Sequence, residues 1–188
     1  MLKHCIALSV VALAWGGSVE VAAAEHQRAY EFDGTHVALS IDRFMGIDFT
    51  DYEGPGGDHV TARLFLNASE PAPTSYGRFG IDVFIRRLSL GLAAGVTSED
   101  TAIVAPRVGY LFGLTPTIGL WLRGGAFYAA IPGDVSYAGI YGEVLFQYFP
   151  YDVVSFHLGP SIDVAFANDD NPDYIAIGLP TMGMTAFF

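Results

Sequence analysis

Residues 155–163 read SFHLGPSID, and they make the best case in this chain for proton-transfer chemistry. His157 could serve as a base, Ser161 as a nucleophile and Asp163 as the acid that orients the imidazole. The surrounding alternation marks a β-strand, however, and positions i and i+4 of a strand lie about 13 Å apart. A nucleophile and its base must come within hydrogen-bond reach to share a proton. The spacing therefore assigns His157 and Asp163 to a structural group on one face, and no catalytic residue is expected. A second cluster, NDDNPD at 168–173, offers Asp169, Asp170, Asn171 and Asp173 as oxygen ligands. It lacks the regular spacing and closing glutamate of a calcium-binding helix–loop–helix, so it reads as a solvated loop and no metal is expected. No glycine cluster opens a helix, which leaves no phosphate cradle and no expected cofactor.

The elements that carry these residues are strands. Period-two alternation recurs nearly everywhere after residue 35, in aromatic and β-branched segments, and no helical period competes with it. It predicts eight strands at about 36–49, 76–85, 88–97, 103–113, 117–130, 137–149, 153–167 and 174–188. Tight links (RR at 86–87, LTP at 114–116, PYD at 150–152) alternate with longer, mostly acidic ones (SEDT, IPGDVS, ANDDNPD). Short turns at one end and longer loops at the other are the pattern of a transmembrane β-barrel. The segment HVTARLFL at 59–66 would be a ninth strand and break the even count. It is therefore assigned to a long first outer loop, residues 50–75, with a ten-stranded barrel as the alternative.

Composition points the same way. The chain is 52% hydrophobic and 15% charged, yet beyond residue 24 it has no uninterrupted apolar run long enough for a membrane helix. A closed β-barrel is then the way to satisfy every backbone group in a bilayer. Lys3, the apolar run Ile6 to Trp15 and the small residues Ala22-Ala23-Ala24 read as a signal peptide over 1–24, leaving 25–188 as the barrel domain. Cys5 is the only cysteine and Lys3 the only lysine, so the barrel has no disulfide or thiolate metal site. The net charge of −11 repels nucleic acid, which is excluded as a partner.

The less apolar faces reveal what they meet. In 88–97, Leu88, Leu90, Leu92, Ala94 and Val96 alternate with Ser89, Gly91, Ala93, Gly95 and Thr97. A water-facing surface would be rich in lysine and glutamate, whereas small residues suit the inside of a narrow barrel. The same phase places Arg78, Asp82, Arg107, Arg123, Glu143, Gln147, His157 and Asp163 inside, with Asp42 beside them. Four acids then face three arginines in an ion network that fills the lumen. Strict alternation from Val37 points Arg43 at lipid, which a bulge near Asp42–Arg43 would relieve. Pro106, Pro160 and Pro180 fall inside strands and require bulges too, and Ile175, Ile177 and Leu179 fall on the lumen side if Phe188 faces lipid.

APRVGYLFGLTPTIGLWLRGG at 105–125, FHLGPSIDVAF at 156–166 and the terminal Phe188 resemble the small outer-membrane β-barrel proteins of Gram-negative bacteria, the broad OmpA/OmpX-like group. The resemblance spans roughly residues 76–188 and implies an all-β, closed, antiparallel up-and-down transmembrane barrel. It further implies export to the periplasm, residence in the outer membrane among its lipids, and Phe188 as a signal read by the barrel-assembly machinery. Some such barrels are lipid A deacylases with a serine and a histidine on one strand, so a lipid-modifying enzyme is the alternative to a non-enzymatic structural or surface-interaction barrel. A soluble ligand-binding barrel is the distant third. The expected state is a monomer, and its surface ligand is not encoded in any motif.

Overall fold

The computed structural model describes residues 34–54, 57–66, 77–96, 102–131, 135–166 and 174–188. The signal-peptide expectation for 1–24 and the acidic run 168–173 lie outside them. The strands are β1 (Thr35–Gly54), β2 (Gly57–Leu66), β3 (Arg78–Ile85), β4 (Leu88–Val96), β5 (Ala102–Thr115), β6 (Ile118–Ile131), β7 (Val135–Tyr151), β8 (Val154–Phe166) and β9 (Tyr174–Phe187). Neighbours pair antiparallel from β3 through β9, and β1 pairs with both β3 and β9, which closes the sheet. Two backbone bonds between Val37 and Phe188 finish the seam at the chain's end.

Residues 50–54 and 57–66, expected as part of a long loop, are instead strand: the end of β1 and all of β2, paired from Met45↔Leu66 to Gly54↔Gly57. The even count survives because β2 and β3 share one position beside β1. β2 lies against the far half of β1, and β3 against its first half, from Thr35↔Ile85 to Asp42↔Arg78. The result is an eight-stranded barrel with an added hairpin above one side. The IPGDVS link is also shorter than expected, because β6 and β7 stay paired to Ile131↔Val135. At the opposite end, two-residue turns join β3 to β4, β5 to β6 and β7 to β8. Arg86 enters the first with φ of 56°, a left-handed position that favours glycine.

Side chains alternate strictly in β3 and through most of β5 and β8. The outward set is apolar and exposed: Phe79, Ile81, Leu92, Val108, Ile140, Phe146 and Leu158. Apolar groups outside and ionic groups inside invert a soluble protein's pattern, as a bilayer requires. Two bulges at the β1–β9 seam adjust the alternation. Between Ile41↔Met184 and Met45↔Met182, three residues of β1 oppose only Gly183. Within it Arg43 adopts φ of 52° and turns inward, while Phe44 turns out. In β9, Leu179 and Pro180 together oppose Pro160. That one-residue insertion reverses the phase, so Ile175, Ile177 and Leu179 face outward as Phe188 does. Pro106 and Pro160 point outward as well; Pro160 lies opposite the β9 bulge, whereas Pro106 faces Leu92 in unbroken register, so the bulge expected there is absent.

Inside the barrel, one apolar cluster near the tight turns contains Phe84, Leu111, Trp121, Leu145, Phe149 and Phe187. A second, toward the other end, combines Ile103, Phe127 and Tyr141 with alanines. The ionic residues lie between them along the strands. Val108, mid-strand and 49% exposed, tests the outer face. Val108→Arg is expected to destabilise by about 2–4 kcal/mol in reversible unfolding from lipid, and Leu114→Arg at the turn rim by about 0–1 kcal/mol. Equal losses would contradict a hydrocarbon-facing wall.

Candidate functional site: the ionic chain of the lumen

The barrel's interior carries alternating charges in an unbroken chain. Arg107 donates from Nε to Asp82 Oδ1 at 2.8 Å and from Nη1 to Asp42 Oδ2 at 2.6 Å, and its Nη2 also meets Asp82. Arg123 Nη2 donates to the other oxygen of Asp42 at 2.8 Å, while its Nε bonds Glu143. Arg43 Nε donates to Glu143 Oε1 at 2.6 Å, and its two terminal nitrogens grip Asp163 at 2.6 and 3.0 Å. The order is Asp82, Arg107, Asp42, Arg123, Glu143, Arg43, Asp163. These residues come from β1, β3, β5, β6, β7 and β8, so the chain ties the wall together across the lumen.

The arginines lie over aromatic faces as well. Arg123 sits 4.5 Å from the centre of the Trp121 ring and Arg107 5.7 Å from it; Arg78 and Arg43 lie 5.2 and 5.6 Å from the centre of Tyr141. Trp121 is held in turn by donating Nε1–H to Ser89 Oγ at 3.1 Å. Space for this arrangement comes from missing side chains. A methyl group at Gly80 would collide with the Arg107 guanidinium and the Ser40 hydroxyl.

The structure brings Asp42, Asp82, Arg107, Arg123, Glu143 and Asp163 into one network, with Arg78 stacked beside it on Tyr141. His157 joins at its edge: Nε2 lies 3.2 Å from Asp42 Oδ1, and Nδ1 lies 3.3 Å from Thr185 Oγ1. Strict alternation misses Arg43, because a bulge leaves no mark in the hydrophobic pattern; the cue was an arginine stranded on the lipid side. It also passes over Ser40, which donates to Asp42 Oδ2 at 2.8 Å and accepts from Arg107 Nη2 at 2.9 Å. With Arg43 included, four arginines balance four acids among the described residues.

Asp42, His157 and Thr185 have the order of an acid–base–hydroxyl relay, but not its setting. Thr185 is wholly buried, and both Asp42 oxygens are already held by arginines. Ser161 lies four residues along β8 from His157. Among the described residues, no group of three or more His, Cys, Asp and Glu side chains could hold a metal. A shallow depression of about 670 Å³ lies on the outer wall around Gly124 and Gly142, edged by Val108, Leu122, Val144 and Ile162.

No family model matches the chain, and no curated protein matches it. Its fold is similar to that of Neisserial surface protein A, with 12% identity over 82% of this chain and 97% of that one and a TM-score of 0.51. Lower scores link it to Ail, the attachment invasion locus protein of Yersinia pestis (13% identity, 82% and 99% covered, TM-score 0.46), and to the outer membrane protein OprG from Pseudomonas aeruginosa (12%, 86% and 99%, TM-score 0.46). The chain has the fold of the small eight-stranded outer-membrane barrels.

Arg107 and Arg123 share Asp42, which makes their coupling measurable. Each Arg→Ala change is expected to lower unfolding free energy in detergent by about 3–5 kcal/mol, because it leaves a buried carboxylate uncompensated. The double mutant should differ from the sum by about 0.5–3 kcal/mol. Simple addition would show that the two arginines act independently.

Proposed function

We propose that this protein is a non-enzymatic, monomeric barrel of the outer membrane, closed through its centre and acting through structure or through contacts at its surface. The observation that carries this reading is the ionic chain from Asp82 to Asp163, which crosses the lumen with its members buried. Beside it, Phe84 stacks within 5.3 Å of Trp121 and 5.6 Å of Phe187, measured between ring centres, and Phe149 lies 5.7 Å from Phe187. An eight-stranded barrel is just wide enough for its side chains to fill, and the ionic and aromatic groups inside this one support a closed lumen. A surface role fits the hairpin of β1 and β2, which extends the wall at the end opposite the tight turns.

Planar-bilayer recording tests closure directly. The wild type and Arg107→Ala should both lack porin-sized steady currents, since the aromatic layer remains in the variant. Large stable conductance from the wild type would refute the reading. Altered lipid A acylation on overexpression, lost in His157→Ala, would replace it with the enzymatic alternative.

Phe188 acts in this reading as an address for the assembly machinery, with outer-membrane lipid as its final surroundings. The residue is 71% exposed, so its burial contributes only part of the roughly 1.5–3 kcal/mol available to a buried phenylalanine. Deleting Phe188 should therefore reduce folded protein in the outer membrane far more than it reduces stability after refolding in detergent, and Phe188→Tyr should assemble nearly as well as wild type. Membrane yield compared with unfolding midpoint checks this. Normal assembly of the deletion would remove the address role.

A further inference from the structure

Along the inward face of β7, Gln147 stands between Leu145 and Phe149, both members of the apolar cluster near the turns. It is 1% exposed, yet neither its amide oxygen nor its amide nitrogen has a hydrogen-bond partner in the protein. Directly opposite on β8 is His157, and two residues along the same face is Ser155, wholly buried with its hydroxyl also unpartnered. Ser155 in turn pairs with Thr185 across β9. A primary amide and a hydroxyl are thus grouped inside an apolar cluster without the bonds they need. Such groups are met in folded proteins by ordered water, which requires two to four polar partners at its site.

We infer that this corner of the lumen is a binding site for ordered water, with Gln147 as the main ligand and Ser155 as the second. Gln147 Oε1 accepts from the water, Nε2 donates to it, and the Ser155 hydroxyl completes the cluster beside the His157–Thr185 pair. The aromatic rings of Phe149, Phe187, Phe84 and Trp121 neighbour this site, so exchange with bulk solvent is slow. The site lies apart from the ionic chain and does not depend on the surface role proposed above.

The full chain refolded in micelles, with water itself as the probe, tests the inference. The Gln147 side-chain amide signals, identified by sequential assignment, should show nuclear Overhauser contacts to long-lived water. Gln147→Leu should also unfold at lower denaturant than wild type, despite its added apolar surface, because it strips the water of its ligand. A dry site predicts the opposite: no water contacts and a more stable leucine variant, since an unpaired amide would have been replaced by a group suited to its surroundings. Either of those results overturns the inference, as does a direct Gln147–Ser155 hydrogen bond in a high-resolution structure. If Gln147→Leu fails to refold, water contacts in the wild type that weaken in Ser155→Ala support the site, and contacts unchanged in that variant overturn it.

Discussion

A charge held away from water must be neutralised where it stands, and this barrel meets that requirement with an alternating chain of carboxylates and guanidiniums. Each interior member of the chain is shared between two partners. Asp42 serves Arg107 and Arg123, while Glu143 serves Arg123 and Arg43. Loss of one arginine consequently disturbs two carboxylates. The balance depends on Arg43, whose entry needs a left-handed backbone and a three-against-one mismatch with β9. Backbone irregularity at one point is the means by which electroneutrality is reached at another.

The same alternation serves two unlike media. Leucine, isoleucine, valine and phenylalanine line the outside, where lipid replaces water, and the inside is divided between polar and aromatic groups. Glycine and serine on the inward face are the complement of the arginines, since a lumen this narrow holds a guanidinium only where the facing wall lacks bulk. Trp121 joins the two interior environments: one face lies under Arg123, the His157 ring stands nearly perpendicular to it, and Phe84 packs against it.

Much of the barrel was legible in the sequence because period two is a strong signal when both faces are chemically distinct. Ser89, Arg107, Glu143 and Asp163 could be placed inside from phase alone, as could the eight positions around the wall. Local slips were not legible. Arg43 and Phe44 exchange faces at a bulge, and phase alone points the apolar Ile175, Ile177 and Leu179 inward, whereas the insertion at Leu179 and Pro180 turns them out. The strand at 57–66 was hidden by a parity rule that counts segments. The rule holds for positions around the wall, and β2 and β3 occupy the same one. Partners across the lumen were beyond reach, because alternation tells which way a side chain points and nothing about what it meets there.

The two bulges also bear on how the circle finds its closing register. They lie on adjoining strands at the seam, separated by only the pairs Met45↔Met182 and Gly46↔Thr181. A slip of two residues along a regular ladder keeps every side chain on its proper face and is therefore the misalignment that hydrophobic patterning cannot reject. Here such a slip would set each irregularity against an unbroken run of its neighbour. The seam is keyed: β1 and β9, far apart along the chain, have one alignment in which both distortions are accommodated, and the edges that close the sheet carry their own proofreading.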